Sequence, residues 1–152
     1  MKRTVTLVAF VVLYAAGIMV SCSGPSMDDP RQVVISLFGA MEKDDKAALT
    51  RILDLPELMR NTQQEDYALQ QDNPRVFTNP EQVLDDLTGE GETKKVWFAH
   101  QRIVNSAEIN GETATVEVTF VDKEASKGYR TSFGLHRKEG KWRIFSFRTM
   151  TE

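Results

Sequence analysis

The chain has 152 residues, 27% charged and 41% hydrophobic, with one cysteine and a formal net charge of −3. That balance gives no general attraction for nucleic acid. A lone cysteine excludes an internal disulfide, so the chain must rely on its hydrophobic core, and its length suits one folded domain.

Lys2 and Arg3 open the chain, no charge follows until Asp28, and residues 5–20 are densely apolar. This is the n-region and h-region pattern of a secretory signal, although Met19, Val20 and Ser21 make a poor small-x-small cleavage site. The run MVSC, residues 19–22, resembles the lipobox of bacterial lipoproteins, with Met where Leu is usual and Val bulkier than the usual second residue. The resemblance implies a signal peptide over residues 1–21, a palmitate-type lipid on the Cys22 thiol, a polar tether over 22–29 and a domain over 30–152. It places the protein in the bacterial cell envelope, anchored to the membrane and facing the periplasm or exterior. Ser23 in place of Asp favours the outer membrane. A retained spanning helix of about 20 apolar residues and plain secretion are the alternatives.

Asp29-Pro30-Arg31-Gln32 predicts a helix start, with Asp as cap and Pro at the first helical position. Val33, Val34, Leu37, Phe38 and Met41 then recur at helical spacing to about Lys43. Asp45 caps a second helix that buries Ala48, Leu49, Ile52 and Leu53 until Pro56 intervenes. Residues 55–78 are hard to read; Thr62 and Glu65 suggest a short helix through Tyr67 and Leu69 in an otherwise exposed, lid-like segment. Asn79-Pro80-Glu81-Gln82 starts a third helix that buries Val83, Leu84 and Leu87 and ends at Gly89.

From Lys95 the apolar period changes to two, with Trp97 and Phe98 at the start of a long strand. Asn110-Gly111 predicts a tight hairpin pairing Ile109 with Glu112, Ala107 with Ala114, Asn105 with Val116 and Ile103 with Val118. One face then carries Ile103, Asn105, Ala107, Ala114, Val116, Val118 and Phe120. Glu139-Gly140 predicts a second turn pairing Arg137 with Trp142, Leu135 with Ile144 and Phe133 with Ser146. In that register Phe145 and Phe147 share the opposite face, and such a face calls for a covering partner.

This order resembles NTF2-like domains, on the Asp29–Lys46 helical start, the ATVEVTF run at 114–120 and the closing HRKEGKWRIFSF at 136–147. The last of these is similar to small bacterial NTF2-like lipoproteins filed as domains of unknown function. The resemblance implies an α+β cone, three N-terminal helices packed on a curved antiparallel sheet of about four strands. It also implies a pocket at the cone's open end, where Trp97, Tyr129, Phe133 and Asn105 are candidate ligand-binding residues. A homodimer through the convex face would use Phe145 and Phe147.

Relatives of this type include ketosteroid-isomerase-like enzymes and dehydratases, which need a carboxylate base inside the pocket. No acid falls among the inward positions, and Asp85, Asp86 and Asp122 lie at a helix's polar side or a strand end. His100 and His136 lack metal-site spacing, so neither a metal nor a cofactor is expected. Arg137, Lys138, Lys141 and Arg143 read as a solvated hairpin tip, with Arg137 stacked on Trp142. The expected function is binding without catalysis, of a small apolar ligand or an envelope protein partner. An isomerase-like enzyme and a purely structural envelope protein are the alternatives.

Overall fold

Asp29 stops the chain from fraying ahead of the first helix: its carboxylate accepts the Arg31 N–H at 2.8 Å, and Pro30 opens α1 (Pro30–Glu42). In the computed structural model, which describes residues 27–62, 77–122, 124 and 127–150, that helix buries Val33, Val34, Leu37, Phe38 and Met41. Asp45 caps α2 (Lys46–Ile52) through the Ala48 N–H at 2.8 Å. Cys22, its flanking signal-type stretch and the helix expected through Tyr67 and Leu69 lie outside the described residues.

Pro56 does end α2's neighbourhood, but as the second residue of a further helix, α3 (Leu55–Thr62). Proline is tolerated there because a first-turn N–H has no intrahelical acceptor. Asn79 caps α4 (Pro80–Asp86) through the Gln82 N–H at 3.0 Å, as the sequence predicts. The next element differs from expectation: residues 92–98 form helix α5 (Glu92–Phe98) and not the start of a strand. Two contacts explain it. The buried Asp86 carboxylate accepts the Thr93 N–H at 3.3 Å and the Thr93 hydroxyl at 2.5 Å, tying down the first turn. At the cap, a Cβ on Gly91 would come within 2.2 Å of the Asp86 carbonyl oxygen, so only glycine fits. Five helices, not three, are present among the described residues.

The helices cover one face of a four-stranded antiparallel meander, β1 (Gln101–Asn110), β2 (Thr113–Val121), β3 (Gly128–Lys138) and β4 (Lys141–Met150), in chain order. Leu53 bridges to Ile144 in parallel, and the Asp54 N–H donates to the Ile144 carbonyl at 2.8 Å, so the β4 edge is covered.

The first hairpin turns one residue later than expected. Asn110 pairs with Thr113, leaving Gly111 (φ 59°) and Glu112 as the linking pair. Glycine first with a positive φ is the type II′ preference. Ile109 therefore pairs with Ala114 and Ala107 with Val116, and a β-bulge between Val104 and Ala107 then puts Val104 opposite Val118. Ala107, Ala114, Val116, Val118 and Phe120 face the helices as expected, whereas Ile103, 47% exposed, faces out. Asn105 shares that outer face and donates to the Thr119 hydroxyl at 3.2 Å.

In the second hairpin Arg137 pairs with Trp142 and Leu135 with Ile144, as predicted. A second bulge, at Phe145, then sets Phe133 opposite Phe147 in place of Ser146. Phe147 thus enters the core at 1% exposure, and Phe145 stays outside against the His136 ring.

The observed faces are testable. Val116→Asp is expected to destabilise by about 3–5 kcal/mol by burying an unpaired charge, while Ile103→Thr on the outer face should stay within about 0.5–1 kcal/mol, both read from urea unfolding. Equal losses would reverse the assignment of faces.

Candidate functional site

The inner face of the sheet is lined by rings because β3 alternates. Tyr129, Thr131, Phe133 and Leu135 point inward opposite Phe120, Val118, Val116 and Ala114. Trp97, on the last turn of α5, lies over them with ring centroids 5.4 Å from Phe133, 5.7 Å from Phe120 and 5.4 Å from Phe147. Phe38 of α1 closes edge-on at 5.7 Å from Trp97. Tyr129 stacks on Phe120 at 4.8 Å and meets His100 edge-on at 5.3 Å. Three of the four candidate ligand-binding residues, Trp97, Tyr129 and Phe133, are therefore one assembly. Asn105 is on the other side of the sheet.

Three polar atoms in this assembly lack a hydrogen-bond partner although they are buried: Trp97 Nε1, the Tyr129 hydroxyl and Thr131 Oγ1. Trp97 and Thr131 have no exposure, and Tyr129 has 9%. Burial pushes the Tyr129 pKa far up, so the phenol keeps its proton and remains a donor. Trp142 Nε1 is also unpartnered, at the opposite end of the sheet beneath the Arg137 guanidinium, whose carbon lies 4.8 Å from the indole centroid. An unpaired buried polar group costs about 1–3 kcal/mol, and native structures keep few without a reason. Thr131 had no signal in the sequence beyond its place between Tyr129 and Phe133.

The α5–β1 junction, Phe98 to Arg102, lines a cleft of about 400 Å³ beside Tyr129. Arg102 pairs with Phe120 and so projects toward the helices. Its guanidinium lies 3.9 Å from the Phe98 centroid and 5.4 Å from that of Phe38, and donates to the Trp97 carbonyl at 3.2 Å. His100 Nδ1 donates to the Val96 carbonyl at 2.8 Å, which leaves Nε2 as the unprotonated nitrogen in the neutral ring.

A second polar cluster lies across β4. Asp54, 5% exposed, accepts from Lys138 Nζ at 2.9 Å and contacts His136 Nε2 at 3.0 Å. The sequence gives no sign of it, because Asp54 and Lys138 are far apart in the chain and the pair needs α3 to dock on β4. Burial pushes the Asp54 carboxyl up, but the Lys138 contact, the Glu57 backbone N–H and His136 together bring it below its ordinary 3.8. Of the expected basic tip, Arg137 and Lys138 are thus held by Trp142 and Asp54. Among the described residues, no group of three His, Cys, Asp or Glu side chains is placed to hold a metal ion.

No protein-family model matches the chain, and no curated protein matches it. Among solved structures it is similar to an NTF2 chain carrying five substitutions, at 15% identity and a TM-score of 0.51, over 79% of this chain and 95% of that one. An NTF2-like protein of unknown function from Silicibacter pomeroyi aligns at 18% identity and a TM-score of 0.44, over 78% and 90%. An NTF2-like protein from Burkholderia thailandensis aligns at 14% and 0.46, over 83% and 92%. The chain has the NTF2-like fold, with five helices on a curved four-stranded antiparallel sheet among the described residues.

Since the folded pKa of Asp54 lies below its unfolded value, its stabilising contribution is whole above about pH 4 and is lost as pH falls through the folded value. Asp54→Asn should lower stability at pH 7 by about 1–3 kcal/mol and flatten the acid limb of the stability profile, measured by urea unfolding between pH 2.5 and 7. An unchanged acid limb would mean that Asp54 does not drive it.

Proposed function

We propose that the protein is a lipid-anchored binding module of the cell envelope, holding a small apolar ligand at the end of its cone where Trp97, Tyr129 and Thr131 meet. The observation that carries this reading is the set of three buried, unpartnered polar atoms on an otherwise aromatic wall. Ligand pockets have this composition, mostly apolar with a few convergent donors. An apolar ligand bearing an acceptor oxygen would pair with those donors. By register, the inner face of the sheet presents no carboxylate among the described residues, which favours binding over isomerase-like proton transfer. The close contact of the rings favours a second reading, a purely structural envelope protein.

A neutral aromatic amide distinguishes the two. Saturable binding of 2-naphthamide by calorimetry is expected, weakened about three- to tenfold in Tyr129→Phe and Thr131→Val. The same substitutions should stabilise the unliganded protein by about 1 kcal/mol each, because each removes an unpaired hydroxyl. No saturable binding in the wild type would support the structural reading.

Anchoring rests on MVSC, residues 19–22. Expressed in a lipoprotein-processing bacterium, the mature chain is expected to begin at Cys22 with added acyl mass and to enter the detergent phase, and Cys22→Ser should do neither. An unmodified chain retaining residues 1–21 would make the same stretch a spanning anchor.

A further inference from the structure

Arg102 is a half-buried cation on the helix-facing side of the sheet, and no carboxylate pairs with it among the described residues. Its contacts are two aromatic faces and one carbonyl oxygen, that of Trp97. The other cation near the Phe98 ring, Lys94, is neutralised by Asp44 at 2.6 Å. Glu42, at the end of α1, acts on Arg102 only through space. Burial pulls the Arg102 pKa down from its ordinary value, as expected for a charge that has lost water without gaining a counter-ion. The guanidinium stays charged all the same.

The guanidinium carbon lies over the Phe98 ring at 3.9 Å, and one Nη1 N–H is taken by the Trp97 carbonyl. Five donors in a rigid fork then leave N–H groups for a second, planar partner, and a carboxylate matches that fork. Arg102 also lines the cleft of about 400 Å³ whose walls include Phe98 and His100, with Tyr129 edge-on to His100. Tyr129, nine-tenths buried, brings an unpartnered hydroxyl to the same end of the sheet. A cation without a carboxylate partner thus lines the cleft beside the Phe98 and His100 rings, and the unpaired Tyr129 phenol belongs to the ring that packs against His100.

We propose that the α5–β1 cleft binds aromatic carboxylates, with Arg102 receiving the carboxylate and the Phe98 and Tyr129 rings flanking the ligand's apolar body. This rests on the ligand-binding reading above and adds the charge and shape of the ligand. Half-burial of the Arg102 guanidinium strengthens a charge-assisted hydrogen bond relative to one at an open surface.

The test compares 2-naphthoate with 2-naphthamide, which share a ring system and differ in charge. Calorimetry on the folded protein at pH 7 is expected to show the carboxylate binding at least about tenfold more tightly than the amide. Arg102→Gln should bring the two within about twofold, the carboxylate losing more affinity than the amide, and Arg102→Lys should keep part of the preference. Circular-dichroism melts of both variants establish that they fold. If the amide binds and the carboxylate binds no better, the proposal fails and the ligand-binding reading stands; if neither binds, both fail. A carboxylate preference that survives in Arg102→Gln would move the anion site away from Arg102 and also overturn the proposal. The wild-type comparison needs no variant, so a failure of Arg102→Gln to fold leaves the first criterion in force.

Discussion

The position of Trp97 constrains most of what surrounds it. One fully buried indole touches a ring from α1, β2, β3 and β4 at centroid distances of 5.4–5.7 Å. Each aromatic pair adds about 0.5–1.5 kcal/mol beyond simple area burial, so this single side chain couples both layers of the fold. For the indole to reach that point, residues 92–98 must coil as a helix, and Phe147 must turn inward. The Asp86–Thr93 tie and the bulge at Phe145 accomplish these two things locally.

How much of this was legible in the sequence follows from what each signal encodes. Helix starts were clear because Asp29, Asp45 and Asn79 act on N–H groups two or three residues away. Strand pairing near the turns was legible in the second hairpin and shifted by one residue in the first, where Asn110-Gly111 permits more than one loop. Both bulges left a trace that strict alternation hides: Val104 to Ala107 and Ile144 to Phe147 are inward neighbours spaced by three residues, not two. Alternation carried through these points sends Asn105 inward and Phe147 outward. Helix α5 was obscured because Val96, Trp97 and Phe98 suit a strand as well as a helix. Its deciding contacts come from Asp86, in the preceding helix. The Asp54 cluster and the lack of a carboxylate beside Arg102 among the described residues are tertiary facts, since each depends on which elements dock and on which acids lie within reach.

The α5–β1 junction joins the packed core to the cleft. Trp97, His100 and Arg102 fall within six residues. The first anchors the core, and the other two line the cleft that begins where the core ends. The Trp97 carbonyl holds Arg102 while its indole holds the sheet, so a ligand drawing on the guanidinium also bears on the residue that couples the layers. The acidic net charge of the chain makes a local cation more distinctive, because the protein's overall field does not favour anions.

The two bulges lie on the two outermost strands, one at each side of the meander. Each consists of an extra residue that alternation alone would not need, and each reverses which side chains face the helices beyond it. Single-residue deletions would therefore act there unlike deletions elsewhere in a strand. Removing Ser106 would leave one residue between Val104 and Ala107 and restore plain alternation with both faces kept, Arg102 and Val104 still toward the helices and Ile103 outward, so that only the local bend is lost. The extra residue at each of these two positions is what lets even-numbered residues on one side of it, Arg102 and Val104 or Trp142 and Ile144, share the inner face with odd-numbered ones on the other, Ala107 and Ile109 or Phe147.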